Sequence, residues 1–268
     1  MHYLQRFGLK HDVFPQDAKG ATFFEAPGYE RLSRRFAMLT ERPGIGVLAG
    51  EVGVGKTSAI RNLATSLPRP DFQVIYLCEP AEGPAELYRM IAAELGLRVA
   101  HRRTQFWREL KRALIDMVDE QGVQPVLILD ESHRLPEAVL VDLYAMVGDS
   151  MDSRSLLVLW LVGQPQLLSL LRMKHHAALA SRIAARIHLA PLSTREAFAA
   201  FLAHGLQAAG ASTKIVADPA AELLFRVSRG MPREAARLLR EALIYADEQQ
   251  RSMLDETILE AVLEQENL

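Results

Sequence analysis

Cysteine is all but missing: Cys78 is the single thiol in 268 residues. One thiol cannot close a disulfide within the chain, and a thiolate zinc site needs several, so both kinds of covalent staple are excluded. That economy suits a reducing, cytoplasmic setting. Long apolar runs are missing too. Gly, Pro or charged residues interrupt each one before the ~18 residues that a spanning helix needs, and the opening Met1-His2-Tyr3-Leu4-Gln5-Arg6 has no signal-peptide pattern. No membrane partner is expected. An excess of one charge is also absent: 31 Lys and Arg stand against 33 Asp and Glu, so any nucleic-acid contact must come from a local patch. There is no internal repeat and no low-complexity tract. What remains is an ordinary globular composition, with room for one large α/β domain and a smaller one.

Against these absences, one motif stands complete. Gly50-Glu51-Val52-Gly53-Val54-Gly55-Lys56-Thr57 fills each position of the P-loop pattern G-x-x-x-x-G-K-[ST]. The context agrees: Ile45-Gly46-Val47-Leu48-Ala49 reads as a buried strand, and Ser58 onward continues as a helix. Glycines let the backbone turn tightly, so that several N–H groups point at phosphate from a helix N-terminus. Lys56 is expected to reach the β- and γ-phosphates, and the Thr57 hydroxyl to ligate Mg²⁺. The motif implies a bound nucleoside triphosphate. No N-K-x-D guanine motif is present.

The rest of the chain divides by pattern. Residues 1–44 are an aromatic and polar segment packing on the core, with a helix from 27 to about 40. Residues 45–192 alternate strands and helices: strands at 72–77, 125–129, 156–162 and, more weakly, 187–189, with helices at 85–95 and about 104–119. From 193 to 268 only helical patterns remain, broken at Gly210, Asp218-Pro219 and Gly230-Met231-Pro232. This order predicts an α/β fold, a doubly wound parallel sheet followed by a helical lid.

Leu127-Ile128-Leu129-Asp130-Glu131 is an apolar strand ending in two carboxylates, the Walker B arrangement. Asp130 is expected to hold Mg²⁺ and Glu131 to orient and deprotonate the attacking water. Gln164, after the next long strand, either touches the γ-phosphate or lytic water (sensor 1) or is a polar turn residue. Arg182 and Arg186 read as lying on the helix before the last strand, where an arginine finger would reach a neighbour's nucleotide. Arg182 is the favoured one. Arg233 follows a Pro at the first turn of a new helix and is placed to point from the lid to the phosphates (sensor 2). Phe23, Phe24 and Tyr29 either pack on the adenine or cover the sheet edge. Lys174-His175-His176 lacks a partner cluster for a metal and reads as a solvent-exposed or DNA-near loop.

The order Walker A, Walker B, Gly163-Gln164-Pro165-Gln166-Leu167, Ser181-Arg182-Ile183 and Gly230-Met231-Pro232-Arg233 resembles AAA+ ATPases of the ExeA/TniB/TnsC/MuB group. The likeness runs from Phe7-Gly8-Leu9 to about Tyr245. It departs at Gln166, where the group usually has Glu, and at Ser132-His133. The resemblance implies ATP as substrate, strand order 5-1-4-3-2, catalytic sites shared between subunits, and homo-oligomeric rings or helical filaments. ExeA-like members act on protein partners in secretion-apparatus assembly and carry a membrane span and a wall-binding module after the core. This chain ends soon after the lid, so the shorter transposition regulators, which act on double-stranded DNA and a transposase, are the expected match.

For DNA there is independent material. Arg98, Arg102, Arg103, Arg108, Lys111 and Arg112 crowd a stretch with Phe106 and Trp107 and only one acid, Glu109. Such a set can follow phosphates. It can equally be the solvated face of an amphipathic helix. A second basic set, Arg226, Arg229, Arg233, Arg237 and Arg240, reads as lid surface or subunit interface.

Overall fold

The computed structural model describes residues 2–15, 22–78, 81–97, 103–147, 155–211 and 214–265, with the side chains of 103–105 also outside the description. A short helix α1 (His2–Arg6) is followed by α2 (Tyr29–Glu41), β1 (Ile45–Gly50) and α3 (Lys56–Thr65). Next come β2 (Phe72–Leu77), α4 (Pro84–Glu94), α5 (Arg103–Asp119) and β3 (Gln124–Leu129). Then α6 (Glu137–Val147), β4 (Val158–Gly163), α7 (Gln166–Leu171), α8 (Ala177–Ser181) and β5 (Ile183–Leu189) complete the alternating part. Helices α9 (Arg195–Ala208), α10 (Asp218–Ser228), α11 (Pro232–Glu248) and α12 (Glu256–Gln265) close the chain.

The strands form one sheet in the order β2-β3-β4-β1-β5, which is the expected 5-1-4-3-2 read from the other edge. The pairs β2–β3, β3–β4 and β4–β1 are parallel. Parallel neighbours need long crossovers, and the helices between strands supply them. β1 and β4 are buried at every residue, which is why both read as unbroken apolar runs; β5 alternates buried and exposed positions, as a strand covered on one face does.

Two compact units share the chain, one of residues 30–50 and 63–188, the other of 1–29, 51–62 and 189–268. In the first, alternate strand residues Ile45, Val47, Leu127, Leu129, Leu159 and Leu161 pack with Leu87, Leu110, Leu140 and Leu167 from the helices. On the opposite face of the sheet Phe36 of α2 stacks on Trp160, with ring centroids 5.7 Å apart. Gly46 is required beneath that ring, because a Cβ there would lie 2.6 Å from it. In the second unit Tyr3, Phe7, Leu9 and Val13 share a core with Phe198, Leu224, Leu239 and Leu259. Phe14 stacks on Phe201 at 4.1 Å, against Gly205, whose missing side chain makes room for the ring.

Three local expectations need correction. β4 starts at Val158 rather than 156. β5 starts at Ile183, so Arg186 lies within the strand and Arg182 caps the end of α8, instead of both riding on a helix. The alternation that marks the strand is hidden in sequence by Ala184 and Ala185, which are apolar enough to blur it. His176 is 1% exposed, not a loop residue in solvent. Lys174–His176 form a 3-10 turn, whose three residues per turn aim Lys174 and His175 outward and His176 inward. Burial pushes the His176 pKa down.

Candidate nucleotide site

Two clusters carry the candidate chemistry. The first is the P-loop with the start of α11. β1 delivers the chain to Gly50, and the turn that follows holds Gly53 at φ +86° and Gly55 at φ +96°. Both lie in the left-handed region, where residues with a Cβ are strained, so the pattern's glycines are there for the backbone. α3 begins at Lys56, leaving its first N–H groups without helical partners. Lys56 is only 6% exposed, and its Nζ donates to the Glu51 carbonyl at 2.9 Å, arching back over the loop. Thr57 and Ser58 are half-buried, while Val52 is exposed.

The other side of this cluster is built by Arg229, Gly230, Pro232 and Arg233. Arg229 (φ +53°) and Gly230 (φ +69°) reverse the chain after α10. Gly230 lies so close to the Leu192 carbonyl that a Cβ would overlap it at 2.0 Å. Pro232 then opens α11 at a position whose missing N–H costs nothing. Arg233 follows, and its backbone N–H, one of the unpartnered donors of a helix start, donates to the Gly53 carbonyl at 3.1 Å. The Arg233 side chain is exposed, with its Cβ 3.0 Å from where a Gly53 Cβ would sit. Sequence reading found Gly53 and Arg233 separately; the bond that joins them could not be read from spacing.

The second cluster sits at the carboxyl edge of the sheet. Ala49 lies level with Gly163 in the ladder, so β1 and β4 end together beside β3. Asp130 follows β3 and is 4% exposed. Its Oδ2 accepts from the Tyr76 hydroxyl at 2.8 Å, and its Oδ1 from the Glu131 N–H at 2.8 Å. Tyr76, on the neighbouring strand, was missed by sequence reading; the only hint is one polar ring in an apolar strand. Glu131 is held at φ +52°, the left-handed region, with its side chain 40% exposed. Ser132 is buried and donates to the Leu129 carbonyl at 2.6 Å, pinning the turn. Gln164 leaves β4 with its N–H donating to His133 Nδ1 at 3.4 Å. A strand leading into the P-loop motif, the carboxylate-tipped β3 beside β4, and this strand order define the architecture.

Residues 39–171 match the family described as AAA domain. The chain is also similar to the general secretion pathway protein A of Aeromonas hydrophila, 31% identical over 91% of this chain; it spans 45% of that relative's length. Solved structures share the fold. The ORC2 protein of Aeropyrum pernix in its ADP form superposes with TM-score 0.71 at 17% identity, over 96% of this chain and 73% of that one. Drosophila ORC bound to DNA gives 0.73 at 17%, over 98% and 65%. The RuvB branch-migration motor of Thermotoga maritima gives 0.58 at 20%, over 95% and 73%.

Beyond the matched span of the AAA domain, the two candidate finger arginines differ in what they do. Arg186 donates to the Ala180 carbonyl at 2.8 Å, so its guanidinium closes the end of α8. Arg182 lies 4.3 Å over the ring of Tyr144, itself exposed on α6, with Nη2 3.4 Å from the hydroxyl. Within that span, Arg108 and Arg112 of α5 are exposed one helical turn apart and Lys111 is half-buried. Phe106, Leu110 and Leu114 fill the opposite, buried face, and Trp107 stacks on Tyr88 at 4.9 Å. The buried side is therefore the amphipathic helix that the pattern allows, and the basic side faces water. Arg98, Arg102 and the Arg103 side chain lie outside the described residues.

The second basic set is not one stripe. Arg237 pairs with Glu234 at 2.7 Å and holds that carboxyl below its usual range, and Arg240 pairs with Asp12 at 3.2 Å. Of the N-terminal aromatics, Phe24 lies 5.5 Å from Phe201 and from His204, in the helical core, and Phe23 leans on Tyr29. The Tyr29 hydroxyl accepts from Asn62 of α3 at 2.7 Å, and burial raises its pKa.

Proposed function

We propose that this chain is an ATP-hydrolysing switch that oligomerises on duplex DNA and there recruits or activates a transposase, hydrolysis then remodelling or releasing the assembly. The observation that carries the switch is the Arg233–Gly53 backbone bond. It ties the first turn of a lid helix to the loop that must shift when a γ-phosphate arrives. In this reading Lys56 and the loop N–H groups from Gly50 to Ser58 hold the phosphates, Glu131 takes the proton of the attacking water, and Gln164 orients it. Arg182 acts on a neighbour's nucleotide. Thr57 and Asp130 are hard oxygen donors of the kind Mg²⁺ takes. Bound there, Mg²⁺ would supply charge neutralisation on the β- and γ-oxygens.

The Arg233 side chain has a direct test. It is exposed, so Arg233→Ala is expected to leave stability within about 0.5 kcal/mol. Loss of a charge-assisted bond to phosphate should weaken ATP by about tenfold or more. Titration calorimetry with ATP and ADP reads the effect; an unchanged ATP affinity would return Arg233 to the helix surface.

DNA is supported by the exposed Arg108 and Arg112, and by two structural neighbours solved with DNA, Drosophila ORC and the Aeropyrum pernix ORC1 protein. The transposase rests on the motif order Gly163-Gln164-Pro165 and Gly230-Met231-Pro232-Arg233. A second reading, an ATPase acting on protein partners of a secretion apparatus, is favoured by the Aeromonas relative. Fluorescence anisotropy of duplex DNA with ATP, ADP or no nucleotide, across a salt series, separates the two. The first reading expects tight binding with ATP only. It also expects Arg108→Ala combined with Arg112→Ala to flatten the salt slope, by about 0.9 for each phosphate that the double variant leaves unneutralised. Absence of binding with any nucleotide makes the secretion reading the better one.

A further inference from the structure

One imidazole stands between the catalytic carboxylate and the sensor strand. His133 Nδ1 lies 3.4 Å from the Gln164 N–H and 3.7 Å from Glu131 Oε2, and the His133 side chain is 13% exposed. The approach is built into the fold. Gly163, the last residue of β4, faces His133 so closely that a Cβ there would lie 3.1 Å from the His133 nitrogen of the backbone and 3.4 Å from Nδ1. A Cβ at 163 would fit only if the 132–134 turn gave way by a few tenths of an ångström.

The two neighbours of Nδ1 ask for opposite things. Gln164 offers a proton, so it needs Nδ1 to present a lone pair. Glu131 offers a lone pair, so it needs Nδ1 to carry a proton. A single ring nitrogen cannot serve both at once. While Nδ1 accepts from Gln164 it carries no proton to offer, and Glu131 gains nothing by turning toward it. When the start of the sensor turn moves and Gln164 withdraws its N–H, the proton can reside on Nδ1, which then draws in Glu131.

We infer that His133 is a positioning residue that couples the sensor strand to the catalytic base, Nδ1 exchanging Gln164 for Glu131 as its partner. This rests on the reading of Glu131 as the base. His133 touches no reacting atom itself; it sets where the Glu131 carboxylate stands when water is attacked. The chain thereby has a means of making hydrolysis depend on what happens at the end of β4, in addition to any contact of the Gln164 side chain with phosphate.

The nitrogen responsible can be identified by shape. Asn places an amide atom where Nδ1 lies, and Gln places one nearer Nε2. Steady-state ATP hydrolysis is measured on the full chain with Mg²⁺, for His133→Ala, His133→Asn and His133→Gln, together with ATP affinity and melting temperature. The expected result is a kcat lower by about 10–100-fold in the Ala and Gln variants and largely restored in Asn, with KM and ATP affinity within about twofold throughout. Equal kcat in the Asn and Gln variants overturns the inference whether or not the Ala variant folds, because packing alone would not distinguish them in that direction. Glu131→Gln is run alongside. Normal turnover there removes the base on which the inference stands, whereas lost turnover there with normal turnover in His133→Ala removes only His133.

Discussion

Lys56→Ala is expected to abolish detectable ATP binding while leaving the chain folded. The ammonium is nearly sealed from water, and its Nζ donates to the Glu51 carbonyl of its own loop. A cation so desolvated is strongly attracted to any phosphate that enters, because little hydration remains to be stripped from it. Truncating one partner of a desolvated charge pair costs about 2–5 kcal/mol of binding, or roughly a 30- to 5,000-fold loss of affinity. The stability cost is smaller, since the Glu51 carbonyl that loses the ammonium belongs to an exposed residue and opens to water. Titration calorimetry reads the affinity. The nucleotide-dependent rise in melting temperature gives a second, independent reading and should vanish with it. An ATP affinity equal to that of the native chain would mean that the G-x-x-x-x-G-K-T match is a turn with no phosphate in it.

Much of this was legible because the determinants are local. The P-loop announces itself in consecutive residues, and β2 was predicted with its bounds intact because Phe72–Leu77 is flanked by Pro70 and Glu79. Gly96 stops α4 at φ +66°, as a glycine past a helix end does. What escaped is non-local. Tyr76 and Asp130 are 54 positions apart and meet only because β2 and β3 are neighbours in register. The Arg233–Gly53 bond spans most of the chain. His176 looked solvated because its neighbours are charged, and only the pitch of the 3-10 turn turns it inward. Arg186 was misplaced because two alanines hid a period of two. In each case the sequence named the residue type, and the partner was set by strand order or by a turn's geometry.

Glu131→Gln is expected to lower turnover by about 10²–10⁴-fold with ATP affinity kept or improved, because the amide has the shape of the carboxylate but cannot take the water's proton. On the proposed reading the substitution also lessens charge repulsion with ATP, so an ATP-bound oligomer should persist on size-exclusion chromatography where the native chain relaxes. Backbone conformation gives a companion test. Glu131 sits at φ +52°, ψ +29°, a left-handed geometry that costs a residue with a Cβ about 1–2 kcal/mol. The Asp130 carboxylate on its N–H, and the Ser132 hydroxyl on the Leu129 carbonyl, hold it there against that cost. Gln has the same backbone preference as Glu, so the amide variant should melt with the native chain. Glu131→Gly relieves the strain, and should be as inactive as the amide variant yet more stable by about 1 kcal/mol. If the residue served the fold, activity and stability would fall together in the Gly variant. If it is a strained group kept for hydrolysis, they separate, turnover falling as the melting temperature rises.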